Sequence, residues 1–198
     1  MMETEEGDAS SLTRIVDSTA NPAPLGLLAF GMTTVLLNLH NAGFFAMGSV
    51  IFAMGIFFGG IAQIIAGIME WKKNNTFGTT AFISYGFFWI SLVGLIIMPV
   101  VGISAPLQKE ALVSFLTIWG LFSFVMFIIT FRLTKSLQVV FGLLTLLFGL
   151  LIAGNATGIG FLLQAAGIVG IICGLSAMYT GLGQVMNEVY KEKMINLG

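Results

Sequence analysis

Long apolar stretches alternate with short polar breaks from about residue 22 to about residue 182 of this 198-residue chain. A helix needs about 20 mainly apolar residues to cross a bilayer. Six stretches approach or exceed that length. The pattern therefore predicts an all-α integral membrane protein with six transmembrane helices, at Pro24–Leu39, Ser49–Met69, Thr79–Val100, Ala111–Phe131, Ser136–Ala153 and Gly158–Leu182.

Arginine and lysine collect at one end of these six helices. With six spans, seven of the eight basic residues face one side, and only Lys109 lies opposite. Basic loops remain in the cytoplasm, so both termini are predicted to be cytoplasmic, in a multi-pass protein of the plasma membrane. The first stretch is short, and a five-span alternative would leave Pro24–Phe45 half inserted. Five spans would put the termini on opposite sides, which the charges disfavour.

The polar ends divide the chain into three parts. Residues 1–20 are predicted to form a mobile cytoplasmic tail. They lack the basic start and apolar core of a signal peptide. Residues 21–186 form the predicted transmembrane domain, and residues 187–198 form a second cytoplasmic tail.

Composition excludes several classes of protein. Charged residues make up only 9% of the chain, against about 25% in a soluble domain. The net charge of -1 offers no basic surface for nucleic acid. The single cysteine, Cys173, and the single histidine, His40, have no partners at metal-ligand spacing. No nucleophile–base pair, metal cluster or phosphate loop is evident, so we expect neither an enzyme nor a bound cofactor or metal.

The three odd-numbered spans each carry a bulky residue about nine places after the cytoplasmic polar break that precedes the span: Phe30, Tyr85 and Leu144. The even-numbered spans each carry a mid-span glycine followed by small or polar residues. This repeated plan predicts three hairpins around a central path. Glycine-rich apolar helices of similar composition would also produce the pattern.

The predicted spans contain no charged residue deep in the membrane, and Glu70 is placed at a cytoplasmic helix end. Proton-coupled carriers often use buried ionisable residues as relays. The sequence therefore favours passive permeation, or coupling in which the substrate carries its own proton. The neutral candidates for contact with a substrate are Thr33, Asn38, His40, Gln63 and Ser84. Such side chains also bond to their own helix or join helices, and for Gln63 the two interpretations are equally good.

The most distinctive stretch is Asn21-Pro22-Ala23-Pro24-Leu25-Gly26. An asparagine cap and a proline in the first turn are typical of a helix start. The free N–H groups of that turn would alternatively form a weak anion site. Later come Ala53-Met54-Gly55-Ile56-Phe57-Phe58-Gly59-Gly60-Ile61-Ala62-Gln63 and Asn75-Thr76-Phe77-Gly78. From Asn21 to Glu188 the chain closely resembles the acetate uptake transporter family, which includes bacterial acetate–succinate permeases and fungal acetate carriers.

The resemblance implies a homo-hexamer in which each protomer has its own path across the bilayer. It implies a mid-membrane constriction of Phe30, Tyr85 and Leu144, and a role for Gln63 in substrate passage. The expected function is a permease or channel for acetate and similar short monocarboxylates, extending to succinate. A transporter or exporter of ammonium, ammonia or another small solute is the alternative. Whether protons accompany the substrate, as in a symporter, stays open at this stage.

Overall fold

A computed structural model describes residues 19–198, and within that range the chain forms six long apolar helices and no strand. The predicted all-α fold with six membrane-spanning helices is confirmed. Most of the predicted mobile tail, residues 1–18, lies outside the described residues. The helices are α1 (Ala23–Asn41), α2 (Ser49–Lys72), α3 (Thr76–Val100), α4 (Lys109–Thr130), α5 (Lys135–Thr157) and α6 (Gly160–Tyr190).

The last helix is longer than hydropathy predicts. It continues to Tyr190, eight residues beyond the predicted end at Leu182, and ends where Lys191 adopts a left-handed backbone conformation. Hydropathy falls near Leu182 because the following residues are polar, yet their helical hydrogen bonding continues. The predicted C-terminal tail therefore begins inside α6.

Both described ends of the chain lie at the same end of the bundle, which we call the terminal face; the other end is the loop face. Asn21 Nδ2, before α1, donates to Gln184 Oε1 in α6 over 3.0 Å. The final residues fold back as a C-terminal strap, residues 195–198. Ile195 exchanges two 2.8 Å hydrogen bonds with the Asn187 side chain, and the Leu197 carbonyl accepts from Ser136 N in the first turn of α5.

The most extensive backbone packing joins α1 to α6, followed by α2 with α3, α5 with α6 and α4 with α5. Helices α3 and α4 meet mainly through side chains, including the stacked rings of Phe88 and Phe115 at 5.6 Å. The arrangement as three hairpins stays a prediction, since neighbours in sequence are not always the closest neighbours in space.

Glycine permits the close packing of α1 against α6. A Cβ on Gly31 would lie 2.6 Å from the carbonyl oxygen of Gly174, and a Cβ on Gly174 would lie 2.6 Å from that of Gly31. Both distances are far below van der Waals contact. The two backbones touch, as small residues allow in membrane bundles.

Helix α2 contains a nine-residue π-helical segment, Met54–Ala62. Its glycines face neighbouring helices: a Cβ on Gly59 would lie 2.8 Å from Thr33 Cγ2, and one on Gly60 would lie 2.7 Å from Ile90 Cγ1. Segments of this kind are rare and often occur at functional sites. Sequence periodicity predicted an ordinary α-helix here.

Candidate functional site

Phe30, Tyr85 and Leu144 come together around one narrow cavity inside the bundle, about 30 Å³ in volume. They are seven, nine and nine residues from the first residues of α1, α3 and α5. At about 1.5 Å per residue, all three therefore lie some 10–14 Å from the terminal face. The rings of Phe30 and Tyr85 are 5.9 Å apart. All three side chains are buried.

The cavity extends from these residues toward the loop face. Its other lining residues lie one or two turns further along α1, α3 and α5, on the same helix faces. They are mostly apolar: Thr34, Leu37, Asn38, Phe88, Trp89, Leu147, Phe148 and Leu151.

Two hydrogen-bond donors of this lining have no partner among the described residues: the Thr34 hydroxyl and the Trp89 indole N–H. Both residues are 2% exposed. Leaving a buried donor unpaired costs about 1–3 kcal/mol. Asn38 lies beside them, and its Nδ2 donates to the Thr34 carbonyl over 2.9 Å. The surface that the wall presents to the cavity is therefore apolar, and the two unpartnered donors lie buried within the wall.

Sequence reasoning did not select Thr34 or Trp89. Each lies four residues after a predicted constriction residue, Phe30 or Tyr85, and so on the same face of its helix. This four-residue spacing is the feature of the sequence from which the two residues could have been predicted.

The Tyr85 hydroxyl is already engaged. Its oxygen is 2.8 Å from Ser123 Oγ, which itself donates to the Trp119 carbonyl over 2.8 Å. The Ser123 proton is thus used, and Tyr85 is the donor between the two hydroxyls. Its ring packs edge-on against Phe122 at 5.3 Å. Tyr85 is held as a wall of the cavity rather than as a free donor.

Three other predicted contact residues lie outside the cavity lining. Thr33 points toward the π-helical segment, with its hydroxyl 3.5 Å from the Met54 carbonyl. Ser84 is half-buried. Gln63 follows the π-helical segment directly and is 1% exposed, and its Oε1 has no partner in the part of the chain that the structure describes. Their roles in substrate passage stay predictions.

Asn38 and His40 both lie in the last turn of α1, but their side chains have different surroundings. Asn38 is buried in the cavity wall and accepts from Asn41 Nδ2 over 3.1 Å. The Nδ1 atom of His40 is 2.9 Å from the Phe45 carbonyl, so His40 fastens the loop after α1. Across residues 19–198 no group of three or more His, Cys, Asp or Glu residues could hold a metal.

The signature motif lies where the start of α1 meets α6 and α3. It comprises Asn21, Pro22, Pro24 and Gly26. Asn21 Oδ1 accepts from Ala23 N, and the Pro22 carbonyl accepts from Leu25 N and Gly26 N. Pro24 has no N–H. The first-turn donors are therefore occupied, which removes the basis for an anion site. Gly26 has no room for a side chain, because a Cβ there would lie 2.6 Å from the Phe82 ring.

Glu70 differs most from its predicted environment. The sequence placed it at the cytoplasmic end of its helix, and the structure shows that its side chain there is only 2% exposed. One carboxylate oxygen, Oε2, accepts from Asn75 Nδ2 over 2.7 Å. Asn75 in turn caps α3 by accepting from Gly78 N over 3.0 Å. The long side chain folds inward to brace this turn, which hydropathy does not reveal.

Six apolar helices around a narrow internal cavity define a multi-pass membrane protein. The chain belongs to the GPR1/FUN34/yaaH family, whose model matches residues 8–194. It is 51% identical over 179 residues to the succinate-acetate/proton symporter SatP of Escherichia coli, covering 90% of this chain and 95% of that one.

A solved structure and a yeast relative extend the comparison. The structure of the bacterial acetate channel SatP matches with a TM-score of 0.89 and 50% identity, covering 91% of this chain and 99% of that one. Ammonia transport outward protein 2 of Saccharomyces cerevisiae is 40% identical over 174 residues, which are 83% of this chain and 61% of the yeast protein.

Proposed function

We propose that this protein carries acetate and similar short monocarboxylates, and also succinate, across the membrane. The observation that carries the proposal is the buried cavity, in which an apolar ring of Phe30, Tyr85 and Leu144 adjoins two unpartnered donors. The names of the similar proteins, a succinate-acetate/proton symporter and an acetate channel, support it. It acts as a transporter rather than as an enzyme.

The apolar ring selects for a small, partly apolar solute. A hydrated inorganic ion would lose its water there without replacement, whereas the methyl group of acetate tolerates the ring. Thr34 and Trp89 donate to the carboxylate on the loop side of the ring. Desolvating a bare carboxylate still costs several kcal/mol. We therefore propose that a proton accompanies each carboxylate, which makes the transport a symport.

The terminal face is proposed to be cytoplasmic and the membrane to be the plasma membrane. Seven of eight basic residues precede or follow helices at that face, in accord with the positive-inside rule. The proposed oligomer is a homo-hexamer with one path in each protomer. Its support is the family resemblance and the large apolar exposure of α4, including Ile118 at 68%.

Transport of ammonium or ammonia is the second candidate, because the yeast relative at 40% identity is named for ammonia transport. The cavity favours carboxylates over the ammonium ion. The Trp89 indole can only donate a hydrogen bond, and an ammonium ion also only donates. The two unpartnered donors suit an acceptor.

The test is uptake by proteoliposomes containing the purified protein, with protein-free liposomes as the background. Labelled acetate should enter faster than background, and unlabelled succinate should compete with it. Labelled methylammonium should enter at the background rate. Methylammonium uptake without acetate uptake would overturn the proposal in favour of the second candidate.

A further inference from the structure

Glu70 is a buried carboxyl group that the proposed substrate path does not use. Its Oε2 accepts from Asn75, while its Oε1 is fully buried and has no hydrogen-bond partner among residues 19–198. A buried carboxylate is stable only when its oxygens are well paired. An oxygen without a partner is therefore a place where a proton can be added at little cost to the fold.

Glu70 forms part of the wall of an open cleft at the terminal face, about 470 Å³ in volume. Water and protons can therefore reach its surroundings from that side. Two charged residues share the cleft: Lys73 from the turn after α2, whose Nζ donates to the Thr19 carbonyl, and Glu188 from α6. The start of α1 and the start of α3 contribute the neutral residues Asn21 and Asn75.

Glu70 and Gln63 lie on the same buried face of α2, two turns apart, with only Ala66 and Gly67 as buried residues between them. The separation along the axis is about 10 Å. Both side chains carry a buried oxygen without a partner in the described chain. The buried face of α2 therefore carries polar groups at two levels, with Gln63 near the middle of the helix and Glu70 at the cleft.

We propose that Glu70 is the proton-binding residue of the transporter. The inference rests on the proposed carboxylate–proton symport and gives the proton a site on the protein. In each cycle Oε1 takes one proton from a hydronium ion, which is left as water, and becomes the O–H of a neutral carboxylic acid. That O–H bond then breaks, the proton passes to water in the cleft, and the carboxylate is restored.

The test compares wild type with Glu70→Gln, which keeps an acceptor for Asn75 and cannot titrate. Initial acetate uptake into proteoliposomes is measured from mildly acidic to mildly alkaline pH, after subtraction of protein-free liposomes. The acetic acid concentration is held constant at every pH, so the ionisation of the substrate does not contribute. Wild-type uptake should fall about tenfold per pH unit on the alkaline side of its midpoint, while uptake by Glu70→Gln should change less than about twofold.

Two further variants test whether the pH dependence of acetate uptake arises at Glu70. Glu188→Gln, the other carboxyl of the cleft, should keep the wild-type pH profile. Asn75→Ser keeps a hydroxyl to cap α3 but removes the donor to Glu70. Its uptake midpoint should move to higher pH, because the ionised carboxylate loses its hydrogen bond. This variant keeps the proposal falsifiable where Glu70→Gln fails to fold.

The outcomes separate two kinds of failure. A wild-type pH profile in Glu70→Gln, the same loss in Glu188→Gln or an unmoved midpoint in Asn75→Ser would overturn the assignment to Glu70. Failure of the wild-type protein to transport acetate would instead overturn the proposed function. Infrared difference spectra supply a second measurement: among the carboxylic C=O bands that titrate with pH, one band of the wild type should be missing in Glu70→Gln and present in Glu188→Gln.

Discussion

The hydroxyl oxygen of Tyr85 lies 2.8 Å from Oγ of Ser123, and this bond determines how Tyr85 acts in the cavity wall. Its proton is directed to α4 and is not available to a solute. We therefore expect the Tyr85 ring to affect transport through its size and shape and not as a hydrogen-bond donor to the solute.

Tyr85→Phe should accordingly keep acetate uptake within about threefold of wild type, because no donor to the substrate is lost. Removing a substrate hydrogen bond of about 1–1.5 kcal/mol would reduce binding about five- to tenfold. Ser123→Ala serves as the matched variant from α4 and should lower stability by about 1 kcal/mol or less. Uptake rates and thermal unfolding in detergent measure the two effects. A tenfold loss of uptake in Tyr85→Phe would contradict this account.

Thr34→Val should weaken acetate transport about fivefold or more, since it removes one donor and keeps the size of the side chain. Trp89→Phe should weaken acetate transport by a similar factor through loss of the indole N–H, although it also removes three ring atoms and so opens about as much space as Leu144→Ala. Thr33→Val is the control, because the Thr33 hydroxyl faces the Met54 carbonyl instead of the cavity. The half-saturating acetate concentration in proteoliposomes is the measurement. A larger loss of acetate transport in Thr33→Val than in Thr34→Val would contradict this assignment. It would indicate that the substrate contacts the side of α1 that carries Thr33, as the sequence predicted.

Leu144→Ala should admit lactate and raise succinate uptake. Removing three carbon atoms opens a few tens of Å³, comparable to one water molecule. Leu146→Ala is the control, because Leu146 is half exposed on the outer side of α5. Gln63→Ala should lower acetate uptake without widening the substrate range. Identical substrate profiles for Leu144→Ala and Gln63→Ala would contradict the separation of a steric ring from a polar side chain.

Gly31→Ala should lower the yield of folded protein sharply, because its Cβ would lie 2.6 Å from a backbone oxygen of α6 that cannot move aside. Gly149→Ala is the matched change at an open position, where no atom lies within 4 Å. It should be neutral or stabilising by up to about 1 kcal/mol. Fluorescence-detected size exclusion would compare them, and equal yields would contradict the close packing of α1 on α6.

A cysteine placed at Ser104 should react with an impermeant thiol reagent added outside cells, and one placed at Thr134 should not. Ser104 lies in the loop after α3, and Thr134 lies just before α5, so six spans put them on opposite sides. The native Cys173 is fully buried and gives no background. The reverse labelling pattern would contradict the proposed cytoplasmic position of the terminal face.

Much of the fold was predictable, because long apolar runs admit only helices in a membrane. The shared depth of Phe30, Tyr85 and Leu144 was also predictable, from family resemblance and helix spacing. The burial of Glu70 was not, because hydropathy reports the helix end and not the direction in which a long side chain folds. The π-helical segment of α2 was missed because Gly55, Gly59 and Gly60 also fit an ordinary packing stripe.

Other site residues depended on contacts between distant segments. Thr33 and Thr34 are adjacent and chemically identical, yet one faces α2 and the other faces the cavity. Only the rotation of α1 against its neighbours distinguishes them. Likewise, the N–H groups of the Asn-Pro-Ala-Pro signature looked available until the structure showed their acceptors.

The C-terminal strap has a consequence for biogenesis. Helix α5, which carries Leu144, starts with an N–H group at Ser136 whose partner is the carbonyl of Leu197. Leu197 follows both α5 and α6 in the chain, so a ribosome adds it after all residues of these helices. The Ser136 N–H therefore acquires this protein acceptor only after residue 197 has been synthesised. This corner of the bundle is thus completed among the last steps of folding, because its contact joins α5 to residues made after α6.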